Sequence, residues 1–158
     1  VTDHMLKTIT KDFRSYLLAD VLGYMNSKLE EYSRELFENE TDTIKISTET
    51  NKLDIYLGDS LYESLSGGEK KKVDLALVLA QREVALRISG FQCNLLVADE
   101  LLENMDETSS NVSLNLLSKA SGDIESLFMI SHNNYSIPVD STITVTKNSH
   151  RISEISLS

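Results

Sequence analysis

Two short stretches carry residue types suited to nucleotide chemistry. Leu65-Ser66-Gly67-Gly68-Glu69 can present main-chain amides to a phosphate, and the apolar run Leu95-Leu96-Val97-Ala98 ends in Asp99-Glu100, which brings two carboxylates to the end of a strand. Each stretch also has a plainer reading. Ser66 followed three residues later by Glu69 forms a capping box, in which the Ser hydroxyl satisfies the Glu69 amide and the Glu carboxylate reaches back to the Ser amide. Capping does not account for Gly67 and Gly68, because glycine in a helix costs up to about 1 kcal/mol against alanine. Lys70, Lys71 and Lys72 are a second oddity, since cations in the first turn oppose the helix dipole and an anion bound there would reverse the sign.

The acidic pair is read in the same two ways. Asp99-Glu100 opens a surface loop, or it stands where ligands collect, outside the carboxyl ends of parallel strands. In the second case Asp99 suits a magnesium ion, which takes oxygen ligands and keeps several waters, and Glu100 suits a water aligned on a terminal phosphate. The run Leu95–Ala98 lacks polar alternation, so the expectation is a parallel strand covered on both faces. A second apolar run, Leu127-Phe128-Met129-Ile130, is followed by His132 and Asn133-Asn134. His132 is either an ordinary satisfied polar residue or a partner of Glu100. If the two strands are parallel neighbours joined by a helix, both side chains leave the same sheet edge.

The elements that must position these residues follow from periodicity. Leu6, Ile9, Phe13, Tyr16, Leu17, Val21, Leu22, Met25, Leu29, Tyr32 and Leu36 recur at helical spacing, predicting one helix from about Asp3 to Phe37, or two joined near Gly23. Alternating segments Thr43–Thr48 and Lys52–Leu57 predict a hairpin turned by Thr48-Glu49-Thr50-Asn51. Lys70 to Ile88 is apolar almost all round and should be a buried helix. A helix from about Glu107 to Ala120 links the two core strands, and a second hairpin pairs Thr142–Thr146 with Arg151–Ile155 around Lys147–His150.

Composition sets the outer limits. At 158 residues with 41% hydrophobic content, the chain is expected to form one domain, residues 1–158, with a real core. Cys93 is the only cysteine, which excludes an internal disulfide and makes a reducing cytoplasmic setting the expectation. No signal peptide, membrane-length apolar run, internal repeat or low-complexity linker is apparent. With 15 basic against 25 acidic residues the net charge is −10, so the chain alone should bind DNA poorly.

In order and spacing, the motifs from Leu61 to about Ile155 resemble the ATPase heads of the ABC superfamily, specifically the C-terminal lobe of SMC-type and SbcC-like proteins. Leu65, Ser66, Gly67, Gly68 and Glu69 match the family signature. Leu95 to Glu100 match the Walker B strand with its metal-binding Asp99 and catalytic Glu100. Glu103-Asn104-Met105-Asp106 falls on the D-loop, and Ile130-Ser131-His132-Asn133 on the switch histidine. Leu101 replaces a proline common in transporter heads, and Met105 stands where leucine is usual.

The resemblance implies an α/β lobe with a mostly parallel core sheet and flanking helices. A β-hairpin and a long N-terminal helix leaving a coiled coil complete it, with residues 1–38 as coiled-coil exit and head helix and 39–158 as the lobe proper. It implies ATP and Mg as cofactors, with Glu100 and His132 catalytic, Asp99 on the metal, and Asp106 and the signature segment touching nucleotide. Ser66, Gly67 and Gly68 would meet the γ-phosphate held by the opposite protomer. Implied partners are the N-terminal ATPase lobe, a second head, DNA in the full assembly and a nuclease subunit. None of the six glycines is followed by lysine, so the phosphate-cradling loop G-x-x-x-x-G-K-[ST] is absent.

Overall fold

The computed structural model describes residues 2–48, 52–90, 93–103, 105–122, 124–132, 139–147 and 152–158, with side chains in the first helix from residue 13 onward, residue 14 excepted. In chain order the elements are α1 (Thr2–Leu36), β1 (Ile44–Ser47), β2 (Asp54–Leu57), β3 (Ser60–Leu61), a 3₁₀ turn (Tyr62–Ser64), α2 (Gly67–Ser89), β4 (Leu95–Asp99), α3 (Glu107–Ala120), β5 (Ser126–Ile130), β6 (Ile143–Lys147) and β7 (Ser153–Leu157).

The apolar stripe of α1 sets the core. Met25, Leu29, Tyr32 and Leu36 follow at helical intervals and are all buried, while Phe13, Tyr16, Leu17 and Leu18 are exposed. The 35-residue helix runs unbroken through Gly23, and among its described side chains the buried ones all lie in the second half. It packs on α2, β1 and α3. Leu29 is 0% exposed, so Leu29→Ala should lose about 2–5 kcal/mol of stability, read as a lower urea midpoint at unchanged slope.

Polar residues on the packed half of α1 close the edge of the first sheet. That sheet has the order β1-β2-β3, all antiparallel, with Ile44 opposite Leu57 and Ile46 opposite Ile55. The amide of Ile44 donates to Ser33 Oγ (2.8 Å), and Ser33 Oγ donates to the Leu29 carbonyl (2.6 Å). Asn26 brackets Ile46, accepting from its amide (2.8 Å) and donating to its carbonyl (2.9 Å). Groups that would otherwise form an open strand edge are thereby bonded to a helix.

The second sheet positions the chemistry. β4 and β5 pair in parallel with Ala98 opposite Met129 and Asp99 opposite Ile130, and α3 makes the crossover. This bears out the expected parallel pair, but not the expected cover. Leu96, Ala98 and Met129 face the core, whereas Leu95 (50% exposed), Val97 (52%) and Phe128 (52%) lie open on the other face. Likewise α2 buries Val73, Leu75, Ala76, Leu79 and Ala80 but leaves Val78 and Ile88 exposed. Both elements are apolar on more sides than this chain covers.

The terminal hairpin forms in the third sheet, its first strand one residue and its second two residues later than expected, with Ile143 opposite Leu157 and Val145 opposite Ile155. Its turn, and that between β1 and β2, include residues outside the described set. No helix among the described residues is long and apolar enough to cross a membrane.

Candidate nucleotide-handling site

Glu100 and His132 meet where the parallel strands end. Glu100 leaves β4 with φ 49°, the left-handed region that a glutamate seldom occupies, at a cost on the order of 1–3 kcal/mol. Its amide donates to the Ile130 carbonyl on β5 at 3.0 Å, which holds that conformation in place. Two residues past Ile130, His132 Nε2 lies 2.7 Å from Glu100 Oε1. Both side chains are solvent-exposed, His132 the more so, and a pair in that setting contributes little to holding a fold. Strained backbone directs the carboxylate to a place where it adds little stability.

Asp99, the last residue of β4, is also exposed. Among the described residues no three His, Cys, Asp or Glu side chains cluster as a metal cage. That donor set fits magnesium, which accepts one or two protein carboxylates and fills its remaining positions with phosphate oxygens and water.

Beyond Glu100 the chain folds back tightly. The Glu103 amide donates to the Glu100 carbonyl (3.2 Å), the Met105 amide donates to the Leu102 carbonyl (3.2 Å), and buried Leu102 anchors the turn. Met105 Sδ accepts from Ser113 Oγ at 3.5 Å, so the unusual methionine has a partner on α3. Asp106 then caps α3, accepting from the Ser109 amide at 2.6 Å. The bonds from Ser109 hold the Asp106 carboxyl below its ordinary range. Asn104 and Asn133 lie outside the described residues.

At the start of α2 the capping box forms. The Ser66 amide and hydroxyl both donate to Glu69 Oε2 (2.8 and 2.6 Å), and the Glu69 amide donates to Ser66 Oγ at 3.4 Å. The Ser66 side-chain bond, then the backbone bond, lowers the Glu69 carboxyl from its usual value. Leu65 is buried in the core, so only its backbone could face a ligand.

The glycines remain to be explained. A Cβ added at Gly67 or Gly68 would meet nothing within 4 Å, and neither residue has a positive φ. Neither internal packing nor backbone conformation requires glycine there. Helix geometry also gives their amides no acceptor within α2. Two of the lysines, Lys70 and Lys72, by contrast, have partners within the chain. Lys70 Nζ donates to the Glu63 carbonyl (2.9 Å), and Lys72 Nζ sits 5.0 Å from the Phe37 ring centre.

Asp99, Glu100 and His132 therefore share one sheet edge, while Ser66–Glu69 and Asp106 occupy two helix starts. Sequence reading missed Tyr62 and Asp74, whose side chains bond at 2.8 Å just before and within α2. A tyrosine and an aspartate twelve positions apart across a turn leave no periodic signal.

No protein-family model matches the chain. Exonuclease subunit 2 of Escherichia phage RB69 is 30% identical over 74 residues, which is 47% of this chain and 13% of the phage protein. Among solved structures, a chain from work on ATP-driven dimerisation and DNA-stimulated activation of SMC ATPases superposes with TM-score 0.72. Its identity is 16%, and the match covers 90% of this chain and 88% of that one. The Smc head domain with coiled coil and joint from Pyrococcus yayanosii gives 0.69 at 16% identity, covering 97% and 30%. The SMC head domain from Thermotoga maritima gives 0.58 at 22%, covering 88% and 49%. The chain has the fold of an SMC-type ATPase head, in keeping with the C-terminal lobe of such a head.

Proposed function

We propose that this chain is the C-terminal half of an SMC-like ATPase head that hydrolyses ATP when two heads dimerise, driving DNA recombination or repair beside a nuclease subunit. The observation that carries the reading is the Glu100–His132 pair at the carboxyl end of the parallel strands, reached through a strained backbone. Glu100 orients the attacking water and takes its proton, and His132 holds the carboxylate in line. Asp99 would hold a magnesium ion, which when bound would neutralise charge on the phosphate oxygens of ATP. The amides of Gly67 and Gly68, with Ser66 beside them, receive the γ-phosphate held by the opposite head, and Asp106 lies along the same interface. An N-terminal lobe supplies the phosphate loop absent here and covers the open faces of β4, β5 and α2.

The likeness to a phage exonuclease subunit supports a nuclease-associated role. Smc heads among the structural likenesses support the second reading, a chromosome-organising SMC head. A purely structural scaffold would leave the strained Glu100 without a use. With a net charge of −10, DNA is met by the other lobe and by the assembled dimer. The test is direct: the two-lobe head should hydrolyse MgATP, while this chain alone should neither hydrolyse it nor bind it at micromolar concentration in calorimetry. Tight binding by the single lobe, or an inactive two-lobe head, would refute the assignment. Co-purification of a nuclease with the full-length protein would separate the repair reading from the chromosome-organising one.

A further inference from the structure

Resting on that reading, we propose that Tyr62 and Asp74 are positioning residues for the Ser66–Gly68 segment. Their hydrogen bond fixes the turn that delivers the Gly67 and Gly68 amides to a phosphate on the opposite head. The segment poses a mechanical problem. Two successive glycines, with open space where each Cβ would sit, have no side-chain packing to locate them, and glycine backbone is the softest available. Donors that must meet a phosphate oxygen within hydrogen-bond distance need their position set beforehand.

The surroundings provide that setting from the N-terminal side. Tyr62 OH donates to Asp74 Oδ1 at 2.8 Å, linking the 3₁₀ turn to α2 two helical turns beyond the glycines. Lys70 Nζ donates to the Glu63 carbonyl at 2.9 Å and lies 5.7 Å from the Tyr62 ring centre. Ser64 Oγ donates to the Leu61 carbonyl (2.7 Å), the Leu65 amide donates to the Tyr62 carbonyl (3.2 Å), and the Leu65 side chain is sunk in the core. The bond to Asp74 also raises the Tyr62 hydroxyl above its ordinary range. Asp74 is exposed, and a bond in reach of water adds little net stability because water replaces either partner. Its effect is on placement: the helix body and the turn before it move as one piece, with the glycines between them.

Tyr62→Phe in the two-lobe head removes the hydroxyl and keeps the ring beneath Lys70. The expected result is an ATP requirement for dimerisation raised about three- to tenfold, the range of one lost hydrogen bond. The thermal midpoint and nucleotide binding in the chain's own half-site should stay unchanged. Asp74→Ala should match it, Asp74→Asn should recover wild-type behaviour because its amide oxygen still accepts the phenol proton, and the double variant should be no worse than either single change. Normal dimerisation of Tyr62→Phe overturns the proposal, as does a loss of dimerisation accompanied by an equal loss of stability or nucleotide binding. A wild-type head that fails to dimerise with ATP overturns the functional reading itself and this inference with it; a wild type that dimerises beside indifferent variants overturns this inference alone.

Discussion

Replacing Glu100 with glutamine should leave a two-lobe head that binds ATP and dimerises but no longer turns it over. The amide occupies the same volume, tolerates the same backbone and still accepts from His132 Nε2 across the 2.7 Å gap, so geometry is preserved. On the proposed reading, what should disappear is the capacity to take a proton from the attacking water, a contribution of about 10²–10⁴ in rate for a positioned general base. With hydrolysis blocked, the ATP-bound dimer should persist longer on gel filtration than the wild type. The steady-state phosphate-release assay has a clear threshold. A fall of less than about tenfold, under about 1.4 kcal/mol of barrier, would mean that another group is the main catalytic carboxylate.

A second large effect is expected at Gly67, and its value lies in the contrast with Ser66. Ser66→Ala removes the hydroxyl from the capping box, costing about 1 kcal/mol of stability and freeing the Glu69 carboxylate from one of its partners. Gly67→Asp should do the reverse. The new side chain enters open space, replaces a poor helix former and places an anion near the positive end of the dipole, a gain of a few tenths to about 1 kcal/mol from each source. If the first turn of α2 receives a γ-phosphate, the better-folded variant is the one that fails: it should remain monomeric with ATP while still binding nucleotide in its own half-site. A Gly67→Asp head that dimerises normally would leave Ser66–Glu69 as a helix start and nothing more.

Much of this arrangement was legible in residue order because its signals are local. The helix expected from about Glu107 to Ala120 is α3, and the two unbroken apolar runs flanking it marked a parallel pair. Burial was misjudged for β4 and α2 for a different reason. An apolar pattern says which residues need cover, and it cannot say whether the cover lies in the same chain, so Val97 and Val78 were expected inside and stand open. β3 has two residues, too few to show alternation, and went unseen. Nothing about a glutamate's type announces the left-handed backbone of Glu100. The seal on β1 was equally silent, because Asn26 and Ser33 look like ordinary polar interruptions of a helix until the strand they serve is placed beside them.

The uneven anchoring of α1 makes it a lever. Among the described side chains of α1, core contact begins at Leu22, whereas Phe13, Tyr16, Leu17 and Leu18 are exposed, and the helix reaches back from Leu22 to Thr2 over roughly 30 Å at about 1.5 Å per residue. A tilt of the lobe by about 5° moves that far end by about 3 Å if the helix stays straight, several times the displacement at its anchored root. The helix is continuous through Gly23, close to that fulcrum. Changes of angle too small to disturb the packing around Leu29 are thus converted into travel at a distance.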